Sequence, residues 1–137
     1  MRIIVDTNRI IAALISNSVS RQILFHYPAE FILIPYTEQE IEEHKEELIE
    51  KTKNTEAELY KILIQIQERC TMINDTITQE HMAQAKAIMD HIDPDDTPFI
   101  AAALATNASI WSEDKHFEQQ TTVKIYKTKD LLNLLNS

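Results

Sequence analysis

The sequence predicts a single α/β domain over residues 1–137 with a parallel sheet. Three observations carry that expectation. Short apolar runs, most of them rich in β-branched residues, alternate with segments of helical periodicity, which is the pattern of a parallel sheet covered by helices. The chain has 137 residues and is 44% hydrophobic, enough for one core. No internal repeat, low-complexity tract or linker divides it.

Taken in order, residues 2–5 (Arg-Ile-Ile-Val) read as a buried strand ended by Asp6-Thr7-Asn8. Residues 8–15 and 18–26 suit two helices. Phe31 to Ile34 reads as a second strand closed by Pro35. From Thr37 to about residue 90 the pattern is helical. An acidic helix is expected at about 37–51. A second carries Leu59, Ile62, Leu63, Ile66 and Cys70 on one face, by their i, i+3, i+4, i+7, i+11 spacing. A third is expected at about 78–90, with Met72-Ile73 as a short edge strand before it. Asp93-Pro94-Asp95-Asp96 opens a helix through Ala101 to Leu104. Residues 110–112 and 123–126 are strands, and 128–135 is a closing helix.

Several function classes are excluded by composition. The chain contains no glycine, which removes the Gly-rich phosphate loops, and turns and helix ends must use Asn, Asp, Ser or Pro. Its one cysteine, Cys70, rules out an internal disulfide and a cysteine zinc site. None of the five histidines stands in His-Glu-x-x-His, so a zinc protease is disfavoured. No apolar run approaches the ~20 residues of a membrane span. An acid at position 6 interrupts any leader-like core, so a cytoplasmic, non-membrane protein is expected. The net charge of −9 and pI of about 4.9 argue against nucleic-acid binding. Lys115, Lys124, Lys127 and Lys129 cluster late in the chain, however, and a local basic rim beside a cation-filled acidic centre can hold RNA.

In parallel sheets functional groups collect at the carboxyl ends of the strands. Asp6 directly follows the first strand and Asp114 comes two residues after Ser112. Glu40 follows the second strand by six residues, and Asp96 begins the helix leading to the Trp111 strand. All four acids can therefore reach one edge of the sheet. Clustered carboxylates repel one another unless a cation neutralises them, and Mg²⁺ and Mn²⁺ prefer such oxygen ligands. Carboxylates from separate loops, without His or Cys, suit phosphodiester hydrolysis.

Ile3-Ile4-Val5-Asp6-Thr7-Asn8, Ile34-Pro35 with Glu40 to Lys45, Asp93 to Ala105, and Trp111 to Phe117 together resemble the four ordered motifs of the PIN-domain family. The resemblance spans nearly the whole chain. It implies a three-layer α/β/α fold with a five-stranded parallel sheet. It also implies a helical insert between strands 2 and 4, clamp-like over about 37–90. The activity implied is that of an endoribonuclease dependent on Mg²⁺ or Mn²⁺, with Asp6, Glu40, Asp96 and Asp114 on the acidic positions. Asn8 and Ser112 match assisting polar positions. Many small prokaryotic relatives are toxin halves of toxin–antitoxin pairs, inhibited by an antitoxin-like protein partner and often homodimeric.

Each candidate also has a purely structural role open to it. Asp6 suits a helix N-cap, and so do Thr7 and Asn8 beside it. Thr37-Glu38-Gln39-Glu40 has the form of a capping box, which would engage Glu40 with the Thr37 backbone, and Glu43 is then the substitute ligand. Asp93, Asp95 and Asp96 compete for one cap; Asp96 best fits the family position and Asp93 is second. Asp114 suits a cap, or a role through water. His116 lies near the proposed site and suits a phosphate contact, but reads first as a surface histidine, and Trp111 reads as core. Arg9 and Lys115 suit contacts to RNA phosphates or plain solvation. Two other functions remain in play. One is a catalytically inactive PIN-like module that binds RNA or protein. The other is a phosphatase using Asp6, disfavoured because Asn8 stands where such enzymes carry a second Asp.

Overall fold

The computed structural model describes residues 1–136; Ser137, the last residue of the expected domain, lies outside them. Strands β1 (Arg2–Val5), β2 (Glu30–Leu33), β3 (Thr71–Met72), β4 (Ser109–Trp111) and β5 (Ile125–Tyr126) form one parallel sheet in the order β3-β2-β1-β4-β5. The helices are α1 (Thr7–Ile15), α2 (Val19–His26), α3 (Pro35–Glu43), α4 (Lys45–Thr52), α5 (Glu56–Arg69), α6 (Asp75–Gln79), α7 (Met82–Met89), α8 (Thr97–Thr106) and α9 (Thr128–Leu135). Two 3-10 turns, Pro94–Asp96 and Lys115–Gln119, precede α8 and follow β4.

The two-residue period of the central strands builds two cores at once. Ile3, Val5, Phe31, Leu33 and Trp111 face one side, with Ile10, Leu14, Leu24, Leu48, Leu59, Ile66 and Leu131 packed on them. Ile4, Ile32 and Ile110 face the other, against Met89, Phe99, Ile100, Ala102 and Phe117. Burial on both faces explains why these strands read as apolar runs. The result is the three-layer α/β/α architecture expected from the sequence.

Two of the expected helices change, and the one at about 78–90 divides into α6 and α7. The acidic helix foreseen over 37–51 begins earlier, because Pro35 with its fixed φ occupies the first helical position, and it is interrupted at His44. The stretch 37–90 lies between β2 and β4 and carries α3 to α7, with the short strand β3 inside it. Helices α3 to α5 contribute Ile41, Leu48, Leu59 and Ile66 to the first core, β3 pairs with β2, and α7 contributes Ala85 and Met89 to the second.

The sheet order reverses at β1, whose neighbours are β2 and β4. That reversal opens a crevice beyond the carboxyl ends of the strands.

Candidate metal centre

Register places the first pair. Val5 stands opposite Trp111, so Asp6 and Ser112 leave the sheet side by side, with Asp6 N–H bonded to Trp111 O at 3.1 Å. The fully buried Ser112 Oγ donates to Asp6 Oδ2 at 2.6 Å and accepts from the Asp114 N–H at 2.9 Å. Asp6 occupies the N-cap position of α1, but its side chain makes no cap bond. It is buried, and burial raises its pKa above the usual carboxylate range. The Ser112 hydrogen bond opposes the rise, the Asp114 charge adds to it, and Arg9 and the Asn8 N–H lower it.

Glu40 comes from α3. The capping box does not form, because Thr37 lies in the third helical position and its N–H bonds Ile34 O at 3.1 Å. Glu40 Oε1 instead accepts from Thr7 Oγ1 at 2.6 Å, and Thr37 Oγ1 lies 3.1 Å from the same hydroxyl. A hydroxyl carries one proton, so the chain of donors runs from Thr37 through Thr7 to Glu40. This ties the half-buried Glu40 to the residue beside Asp6. Burial raises its pKa, the Thr7 bond opposes, and Asp6 and Asp95 add to the rise. Glu43 is exposed and takes a 3.4 Å hydrogen bond from Gln39.

The competition among Asp93, Asp95 and Asp96 resolves by geometry. Asp93 Oδ1 caps the 3-10 turn by accepting from the Asp95 N–H at 3.0 Å. Asp95 is exposed. Asp96 is therefore not needed as a cap. It is 8% exposed, and its buried Oδ2 makes no hydrogen bond. Burial pushes its pKa up to about 7, with the charges of Asp114, Asp93 and Asp6 adding and His116 opposing. Asp114 does serve as a cap, for the His116 N–H at 2.9 Å.

Electrostatic coupling thus links all four acids: Asp114 acts on Asp6, Asp6 on Glu40, and Asp6 and Asp114 on Asp96. Such a cluster suits a hard divalent cation, which would relieve the repulsion and supply the partner that buried Asp96 Oδ2 lacks. Mg²⁺ and Mn²⁺ both fit this donor set.

Arg9 is half-buried, donating to Ser20 Oγ at 3.4 Å. Asn8 is exposed beside a groove lined by Thr7, Glu40, His44, Glu47 and Lys51. Lys115 is exposed at the start of the turn after Asp114. The expected basic rim is partly neutralised, since Lys127 pairs with Glu118 at 2.7 Å, while Lys124 keeps its charge 5.1 Å over the Tyr126 ring. Trp111 is core, its Nε1 donating to Thr128 Oγ1 at 3.1 Å.

Sequence reasoning misses two residues. Thr7 reads there only as a possible cap, yet its hydroxyl orients Glu40. His116 is not simply a surface side chain: Nδ1 lies 3.0 Å from Asp93 Oδ2, 3.4 Å from Asp114 Oδ1 and 3.5 Å from Asp96 Oδ2. These carboxylates, Asp114 foremost, raise its pKa. The one signal in the sequence is its position two residues after Asp114.

No curated protein matches the sequence. Two solved structures share the fold. One is VapBC2 from Rickettsia felis bound to a DNA fragment from their promoter, at 12% identity and a TM-score of 0.70. The other is DNA-bound VapBC from Salmonella typhimurium, at 14% identity and a TM-score of 0.71. Each likeness covers 93% of this chain and 98% of the other. The PIN domain family profile matches residues 4–135, and the chain belongs to that family.

Proposed function

We propose that this chain is a metal-dependent endoribonuclease that hydrolyses RNA phosphodiester bonds, acting as the toxin half of a toxin–antitoxin pair. One observation carries the reading: four carboxyls from separate segments are coupled at the crevice where the sheet order reverses, and the most strongly shifted of them, Asp96, has a buried oxygen without a hydrogen bond. Asp6 and Asp96 are the principal ligands. Glu40 and Asp114 complete the site or orient the attacking water. Ser112 and Thr7 fix Asp6 and Glu40 through the bonds described. Mg²⁺ or Mn²⁺, when bound, lowers the pKa of water and stabilises the leaving oxygen, so no side-chain nucleophile is required. Arg9 and Lys115, flanking Asp6 and Asp114 in sequence, contact RNA phosphates. Glu43 and Asp93 support the site, and Asn8 borders the substrate groove.

An antitoxin-like protein partner is proposed from the family resemblance and from the likeness to VapBC complexes. A homodimer rests on the resemblance alone. Among the described residues no helix is long and apolar enough to cross a membrane, and a cytoplasmic location is proposed.

The test is Mn²⁺-dependent cleavage of single-stranded RNA by wild type and Asp96→Asn. Cleavage by wild type alone supports the reading, and equal cleavage by both sinks it. RNA retained but uncut by both favours the inactive binding module instead.

A further inference from the structure

We propose that Asp93, Asp96 and His116 form a mixed nitrogen–oxygen site that holds a transition divalent cation such as Mn²⁺ or Zn²⁺ in preference to Mg²⁺. The inference rests on the metal-dependent reading of the same sheet edge and adds which ion the edge selects.

Two segments far apart in sequence build it. The 3-10 turn before α8 brings Asp93 and Asp96, and the turn after β4 brings His116. One donor atom from each of the three lies within 4.8 Å of the others. The nitrogen-to-oxygen separations of 3.0 Å to Asp93 and 3.5 Å to Asp96 match the edge of a coordination polyhedron. Bonds of about 2.1 Å give edges of about 3.0 Å in an octahedron and about 3.4 Å in a tetrahedron.

A plain histidine–carboxylate ion pair is the competing account. It would align the ring N–H with one oxygen at about 2.7–2.9 Å. Here three carboxylate oxygens crowd Nδ1 at 3.0–3.5 Å, more than its single N–H can serve. Several oxygens at such spacing around one nitrogen are the arrangement of cis ligands of a shared cation. The second observation is independent of the histidine: Asp96 is 8% exposed, and its Oδ2, the oxygen facing Nδ1, is buried without a hydrogen bond.

The donors are also held in place by other bonds. Asp93 spends Oδ1 on the Asp95 N–H and turns Oδ2 to the site, while Asp114 Oδ1 fixes the His116 backbone. Such outer bonds orient ligands before the ion arrives. Imidazole nitrogen favours later first-row divalent ions, while Mg²⁺ favours oxygen alone, which gives the direction of selection.

The experiment measures Mn²⁺ binding by electron paramagnetic resonance, and Mg²⁺ by competition against Mn²⁺, for wild type, His116→Ala, Asp93→Asn and Asp6→Asn. His116 is half-exposed and Asn at 93 keeps the cap oxygen, so both variants fold. Wild type is expected to prefer Mn²⁺, and His116→Ala and Asp93→Asn to bind it at least about tenfold more weakly. His116→Ala is expected to hold Mg²⁺ nearly as wild type does. In ¹⁵N spectra, Zn²⁺ shifts the Nδ1 signal of His116. Unchanged Mn²⁺ affinity in His116→Ala, or no preference in wild type, overturns the site. If RNA cleavage is nevertheless lost in Asp6→Asn, the nuclease reading stands without it. Mn²⁺ held through His116 in a protein that cuts no RNA supports the site and removes the nuclease reading.

Discussion

Asp96 concentrates the physics of the centre. Burial first, then Asp114, Asp93 and Asp6, raise its folded pKa from the ordinary 3.8 to about 7. A raised folded pKa in an acid means stability that is full below the unfolded value and lost as pH rises through the folded one. The metal-free protein should therefore lose stability between about pH 4 and pH 7 on this group's account, and Asp6 and Glu40, shifted the same way, add to the loss. Asp96→Asn should stabilise the metal-free protein at pH 8 by about 1–2 kcal/mol, because it removes a buried charge among like charges. Urea melts at pH 5 and pH 8 check this, and a variant weaker than wild type at pH 8 contradicts it. Thr7 matters for the opposite reason. Thr7→Val removes the donor to Glu40 and strands the Thr37 hydroxyl, and should cost about 1–3 kcal/mol by the same melts. Asp6 is legible as a site candidate in the sequence, because a carboxylate directly after the buried apolar run Ile3-Ile4-Val5 is costly to place unless it caps a helix or meets a ligand. His116 is legible only as a neighbour of Asp114, since Asp93 and Asp96 are twenty or more residues away and only the fold brings them to it.

The helices show where sequence rules compete. Thr37-Glu38-Gln39-Glu40 has a capping-box form, but Pro35 starts α3 ahead of the box, with Ile34 as its N-cap, and moves Glu40 into the helix body. The box gives way to the stronger constraint of a fixed φ. The amphipathic spacing of α5 is readable because its period is unambiguous, whereas the break at His44 has no Pro or Gly to announce it. Absence of glycine has a local consequence as well. Among the described residues positive φ occurs only at Asn107, where α8 ends, and at Lys53, where α4 ends. Asn adopts that region at lower cost than lysine. Lys53 is exposed, so Lys53→Gly should stabilise the protein by about 0.5–1 kcal/mol, read as a higher urea midpoint at unchanged slope. A lower midpoint would show that the αL backbone at 53 is not strained.

For the whole molecule, the three layers follow from strands apolar on both faces, which is why the fold is legible from alternation alone. The net charge of −9 is harder to interpret, because composition does not say that several of those acids share one crevice. A cation bound there should stabilise the fold by mass action. At about 100 times its dissociation constant, Mn²⁺ adds about 2.7 kcal/mol, or roughly 5–10 °C in Tm. The gain should be larger at pH 8 than at pH 5, where protons compete for Asp96, and scanning calorimetry reads both. On the proposed function, the acids at the ends of β1 and β4 hold the metal that supports RNA cleavage. The most direct test is the rate of single-stranded RNA cleavage as Mn²⁺ is titrated, for wild type beside Asp6→Asn. Cleavage that saturates with Mn²⁺ in wild type and falls at least about 100-fold in the variant agrees with the account. Asp6→Asn cutting at the wild-type rate contradicts it.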